Sequence, residues 1–165
     1  MAEKALYVLA GYDAATEEKL SGMQNTLYEL GYTGTQTRNI PQHITLGRFS
    51  TDEESELVVR MQAAAETTAP FAVMFNHIGL FGGSKVLFAA PDCSNALLRL
   101  KENFGDSFGW TPHSTLLIDE PDVVLQALPE VMKEFSRFQG EITSLHLYEF
   151  FPARHILTVL LKKAH

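Results

Sequence analysis

Two short segments of this chain carry residues suited to one reaction centre: His43-Ile44-Thr45-Leu46 and His113-Ser114-Thr115-Leu116. In an extended strand, side chains at i and i+2 share a face. His43 and Thr45 therefore point one way and Ile44 and Leu46 the other, and the second segment pairs His113 with Thr115 in the same manner. An imidazole titrates near pH 6.5 and can give or take a proton at neutral pH. Two of them on opposite sides of one phosphorus supply a base for the attacking oxygen and an acid for the leaving oxygen. Two threonine hydroxyls can donate to the non-bridging oxygens, where charge builds up. Such a set suits a phosphodiester and requires no metal. From the chain's own composition about 0.06 matches to His-x-Thr-Leu are expected, and two matches about once in five hundred such chains.

The elements that must position these residues alternate between strands and helices. The pattern predicts strands over Ala5–Gly11, His43–Phe49, Phe71–Phe81, Lys85–Ala90, His113–Ile118, Ile142–Phe151 and Arg154–Leu161. A helix is expected over Ala14–Leu30, capped by Asp13 and stopped at Gly31. Ser50 and Glu53 form a capping-box pattern opening a helix to about Thr68; Asp92 or Ser94 caps another to about Phe104. Pro121 suits the first turn of a fourth helix, which Pro129 is expected to kink or restart before Phe138.

This order occurs twice. Tyr7–Asp13 aligns with Val86–Asp92, His43–Leu46 with His113–Leu116, His77-Ile78 with His146-Leu147, and Lys85 with Arg154. A duplicated unit, with halves of about 1–84 and 85–165, implies a pseudo-two-fold molecule. The expected fold class is α+β: one two-lobed domain over 1–165, with antiparallel sheets lining a central cleft and helices outside.

Composition narrows the function classes. The 165 residues are 45% hydrophobic and 20% charged, an ordinary globular balance, with a net charge of −7. That charge disfavours binding along duplex DNA, which needs a wide basic footprint. A single cysteine, Cys93, excludes an internal disulfide and the frequent metal–thiolate patterns. No apolar run approaches a membrane span, and Met1–Lys4 lacks the plan of a signal peptide. The expectation is a cytoplasmic monomer. Other residues have plainer readings. His77 and His146 lack threonine partners and read as ordinary strand positions. Lys85 and Arg154 read as solvated charges beside hairpin turns that could reach the cleft mouth. Tyr148 and Phe81 could stack a base, although core packing is usual for aromatics there. Asp52-Glu53-Glu54 reads as a favourable helix start.

At the two His-x-Thr-Leu segments the chain resembles the two-histidine phosphoesterase superfamily, which includes 2′-5′ RNA ligase-like proteins and RNA 2′,3′-cyclic phosphodiesterases. The resemblance covers nearly the whole chain. It implies metal-independent opening of a 2′,3′-cyclic phosphate on an RNA end or small cyclic nucleotide, without a cofactor. His43 and His113 would be the acid/base pair, and Thr45 and Thr115 the phosphate binders. Some members carry an arginine five residues after the second motif histidine; here Ile118 stands there, and Arg48 stands five after the first. A regular strand would turn Arg48 away from the His43 face; a bulge would turn it back. Arg48, Tyr148 and Arg154 are the further candidates for substrate contact. A phosphate- or RNA-end-binding module without catalysis is the alternative; a two-histidine metal site lacks further ligands at suitable spacing.

Overall fold

The computed structural model describes residues 3–162; residues 1–2 and 163–165 of the expected domain lie outside it. Seven strands form one antiparallel sheet: β1 (Ala5–Tyr12), β2 (His43–Phe49), β3 (Phe71–Leu80), β4 (Val86–Pro91), β5 (Ser114–Ile118), β6 (Phe138–Phe150) and β7 (Arg154–Leu160). Four helices intervene: α1 (Ala14–Glu29), α2 (Glu54–Thr67), α3 (Asn95–Glu102) and α4 (Pro121–Glu134). The starts follow side-chain chemistry. The Asp13 carboxylate accepts from the Thr16 amide at α1 and Ser94 from the Leu97 amide at α3, while the Ser50 and Glu53 capping box opens a short 3-10 turn, Thr51–Glu53, that leads into α2. Pro121 opens α4, but Pro129 does not interrupt it. The carbonyl freed by its missing N–H belongs to Leu125, a half-exposed residue, so water can satisfy it.

The strand order is β2-β1-β6-β3-β4-β5, with β7 beside β6. Exchanging β1 with β4, β2 with β5 and β3 with β6 maps this order onto its own reverse. The third strand of each half crosses over: β3 lies beside β4, and β6 beside β1. Each flank is therefore built from both halves of the chain. The long β6 joins the flanks, pairing with β3 over Phe138–Ile142 and with β1 over Ile142–Phe150. Its first four residues were not expected to be strand, because Gly140 breaks the pattern. A Cβ on Gly140 would lie 2.8 Å from the Thr16 methyl, so the close approach of α1 calls for glycine there.

One face of the sheet carries the core. Leu6, Val8, Ala10, Ile44, Leu46 and Leu116 are buried with Leu20 and Leu27 of α1, Leu57 and Met61 of α2, Leu97 and Leu100 of α3, and Val124 and Val131 of α4. Each leucine, isoleucine, valine or methionine side chain among them, removed from water, contributes about 1.5–3 kcal/mol. The partition holds Ile44 and Leu46 inward and turns His43 and Thr45 to the opposite face. No helix among the described residues is long and apolar enough to cross a membrane.

Candidate active site

The two His-x-Thr segments lie at the two outer edges of the sheet path, yet they meet. The sheet curls, and β2 and β5 are joined by side chains rather than by a ladder. The Ser114 hydroxyl donates to the His43 carbonyl at 2.8 Å, and the Trp110 indole N–H to the Thr45 carbonyl at 3.1 Å. A third link runs through α1, where Gln42 donates to Gln24 and Gln24 to the Leu116 carbonyl, both at 2.9 Å. The Glu17 carboxylate accepts from the Gln42 amide at 2.9 Å and so fixes the start of β2.

A cavity of about 230 Å³ opens at this junction, lined by His43, Thr45, Thr115, Tyr7, Leu9, Ile118, Phe150 and Phe151 among others. His113 stands beside it, held by Phe81 edge-on at 4.7 Å and by Phe88 at 5.3 Å. Its proximity disfavours charge on His43. Both rings are tethered alike. Nδ1 of His43 donates to the Pro41 carbonyl, and Nδ1 of His113 to the Thr111 carbonyl, each at 2.8 Å. A carbonyl can only accept, so Nδ1 carries the proton in both rings. Nε2 is left in each as the atom that gives or takes one. Burial holds both imidazoles below their ordinary pKa, against the opposing pull of these carbonyls; His113 lowers His43 further.

A pair of matched bulges turns the next residues inward. Opposite β1, the register skips Leu46 between Val8 and Leu9; opposite β4, it skips Leu116 between Leu87 and Phe88. These are the same positions of the two repeats. Beyond the bulge the parity of each strand reverses. Ile118 consequently lines the cavity, and Arg48 lies opposite Tyr7 instead of facing away. The Arg48 Nε donates to the Tyr7 hydroxyl at 3.2 Å, at the cavity wall. The structure thus corrects the unbulged expectation for Arg48. The other two candidates are placed differently. Tyr148 stacks on Phe150 with ring centres 5.8 Å apart and packs against His155. Arg154 is drawn to Glu54 and Glu149, each at 3.3 Å, and does not line the cavity.

His146 is more than an ordinary strand position. It lies on the cavity face of β6, opposite Leu9, and burial with the nearby His155 and His43 lowers its pKa to about 4. Its Nδ1 and the Nε2 of His155 each meet the Thr158 hydroxyl at 2.8 Å. Its ring lies over Gly11, where an added Cβ would come within 2.4 Å of Nε2. A neighbouring hollow, lined by His146, Ser144 and Thr158, shares Ile40 and Pro41 with the first. The readable signal for His146 was its i+2 relation to Ser144 and Tyr148 on one strand face. No group of three or more His, Cys, Asp or Glu residues placed to hold a metal occurs among the described residues.

Solved structures share this architecture. The chain is similar to Escherichia coli LigT crystallised with ATP, at 16% identity and a TM-score of 0.68, with 97% of this chain and 98% of that chain covered. It is similar to TT0787 of Thermus thermophilus at 15% identity and a TM-score of 0.68, covering 98% and 100%. A crystal structure described as a phosphoesterase matches at 14% identity and a TM-score of 0.63, covering 98% and 100%. No curated protein matches in sequence. The model of the 2′-5′ RNA ligase superfamily matches residues 15–150, most of the chain, including both histidine motifs. With that match, this chain belongs to the 2′-5′ RNA ligase superfamily.

Proposed function

We propose that this protein is a phosphodiesterase that opens 2′,3′-cyclic phosphates on RNA ends or small cyclic nucleotides, using His43 and His113 as acid and base. The observation that carries the reading is the duplicated tether: two imidazoles at one junction, each with Nδ1 bound to a carbonyl and Nε2 left for chemistry. The enzyme class follows the superfamily, and LigT has been crystallised with 3′-AMP, a nucleotide bearing a ribose phosphate.

In this reading the cyclic phosphate sits between the two rings. One Nε2 takes a proton from water as its oxygen attacks phosphorus; the other gives a proton to the departing ribose oxygen. The ring opens to a linear monophosphate, and the proton inventory balances. His43, buried more deeply and facing a second imidazole, is favoured in its neutral form and takes the base role; His113 is the acid. Thr45 and Thr115 donate to the non-bridging oxygens, whose charge grows in the transition state. Arg48, beside Tyr7, is placed to meet a further phosphate of the substrate. With a ribose 5′-hydroxyl in place of water as the attacking group and the 3′ oxygen as the departing one, the same steps would join two ends through a 2′-5′ linkage.

The test is incubation with a cyclic-phosphate-ended oligonucleotide and with 2′,3′-cyclic AMP in excess chelator, with analysis for a linear monophosphate. Metal-free turnover of either is expected. Tight binding of the linear product with no turnover of any cyclic substrate would replace the enzyme reading with that of a binding module.

A further inference from the structure

The two motif strands share no ladder, so side chains must set their separation. Of the three links, only one ends on a motif residue at both strands. Ser114 occupies the x position of the second motif and is fully buried; its hydroxyl reaches the backbone of His43 itself. The direction of this bond is fixed by chemistry. The His43 carbonyl can only accept, so the single hydroxyl proton of Ser114 is committed to it. The contact between Tyr12 and Ser114 must then run from the phenol to the Ser114 oxygen. Tyr12 is enclosed at the end of β1, and burial raises its pKa, which keeps the phenol a donor. The result is a directed chain, Tyr12 to Ser114 to the His43 carbonyl, through three strands. Nothing mirrors it. The repeat-equivalent of Ser114 is Ile44, an apolar residue buried in the core.

We propose that Ser114, backed by Tyr12, is a positioning residue that sets the spacing of the two histidine-bearing strands and hence of the two imidazoles. Its consequence for turnover rests on the two-histidine reading above; its consequence for the spacing does not. Ser114 is adjacent to both His113 and Thr115, so a strand that drifts from β2 carries the acid and a phosphate donor with it. In-line transfer is sensitive to such drift: a misplacement of about 1 Å can cost about a hundredfold in rate. The core packing of Leu116 and Leu46 resists sliding along the strand but does not fix the gap across the cavity.

The experiment compares Ser114→Ala, Tyr12→Phe and the double variant with the wild type by kinetics on 2′,3′-cyclic AMP and by NMR titration of the imidazoles. Chemical denaturation checks that each variant is folded. Ser114→Ala is expected to lower kcat about tenfold or more with KM within about twofold, because positioning of reacting groups is lost rather than uniform binding. Tyr12→Phe should lower kcat about threefold, and the double variant should lose no more than Ser114→Ala, as members of one chain do. The titration is independent of turnover. The titratable groups facing His43 are His113 from the approach to β5 and His146 from β6. Widening the gap relieves burial and the influence of His113, so the His43 midpoint should rise by about 0.3 pH units or more. A folded Ser114→Ala with wild-type kcat and unmoved midpoints would overturn the proposal. So would a loss of kcat with neither midpoint moved, which marks general loosening. Should Ser114→Ala not fold, Tyr12→Phe is judged by the same two readouts. If the wild type turns over no cyclic phosphate, the phosphodiesterase reading falls and the titration alone decides the positioning role.

Discussion

Gly11 offers a demanding check on the cavity geometry. It is the last residue but one of β1 and pairs with His43 on one side and Ser144 on the other. A methyl group there would sit 2.4 Å from His146 Nε2, 2.4 Å from Ser144 Oγ and 2.9 Å from His146 Cδ2. Ordinary contact begins near 3.5 Å, so the imidazole must retreat by about 1 Å. Two effects compete in Gly11→Ala. Restricting the unfolded chain favours alanine by about 0.4–1 kcal/mol, since Gly11 is not among the glycines with positive φ. Against this stand an overpacking cost of about 1–3 kcal/mol and the weakening of the His146 bonds to Thr158 and Ser144, each of which contributes about 1 kcal/mol. The clash wins, and a net loss of about 1–2 kcal/mol is expected, a Tm decrease of roughly 2–8 °C for a chain of this size. Urea denaturation followed by Trp110 fluorescence measures it. His146→Ala should make room for the methyl, so the double variant should be more stable than the sum of the single losses. Equal or greater stability in Gly11→Ala, or strictly additive losses, would refute the packing of His146 over Gly11.

The remaining expectations concern chemistry and pH. His43→Ala and His113→Ala should each remove nearly all turnover while unfolding at wild-type denaturant concentrations; Thr45→Ala and Thr115→Ala should each cost about a hundredfold in kcat, about 2.7 kcal/mol of transition-state bonding. The pH dependence of kcat/KM should be bell-shaped, with both limbs displaced to the acid side of about 6.5, because burial lowers both imidazoles; an optimum above pH 8 would contradict it. Stability should follow the same sign. His146 titrates at about 4 folded against about 6.5 unfolded, so its contribution is complete above pH 6.5 and is lost as pH falls towards 4. Allowing for its partial exposure, this amounts to about 1–2 kcal/mol, read as a fall in Tm that His146→Gln abolishes. Arg48→Met should raise KM for a cyclic-phosphate-ended dinucleotide and flatten its salt dependence by about one phosphate contact; an unchanged salt slope would remove Arg48 from the substrate path.

Much of this was legible in local pattern. Alternation in His43–Leu46 separates chemistry from core because a strand has period two, and the buried Ile44 and Leu46 bear that out. Asp13 and Ser94 mark helix starts because their side chains satisfy amides that the helix cannot, and Ser50 marks one because Glu53 reaches back to its amide. The repetition of His-x-Thr-Leu was likewise visible without coordinates. Three features were not. Arg48 lies opposite and bonded to Tyr7, which lines the cavity, only because a bulge at Leu46 reverses parity, and bulges depend on the partner strand. Pro129 is tolerated inside α4 because the carbonyl it leaves unbonded lies on a solvent-facing side. Gly140 belongs to β6 because α1 crowds it from across the core.

The sequence by itself determined the chemical inventory, the opposed faces within each His-x-Thr-Leu segment, and the repetition of that segment. Only the tertiary structure decided that β2 and β5, opposite edges of one sheet, curl until Ser114 bonds the His43 backbone, and that the His146 ring, lining the neighbouring hollow, lies over Gly11. Those contacts join residues 71 and 135 positions apart, and no local propensity encodes them. They follow from sheet twist, strand exchange and core packing acting together.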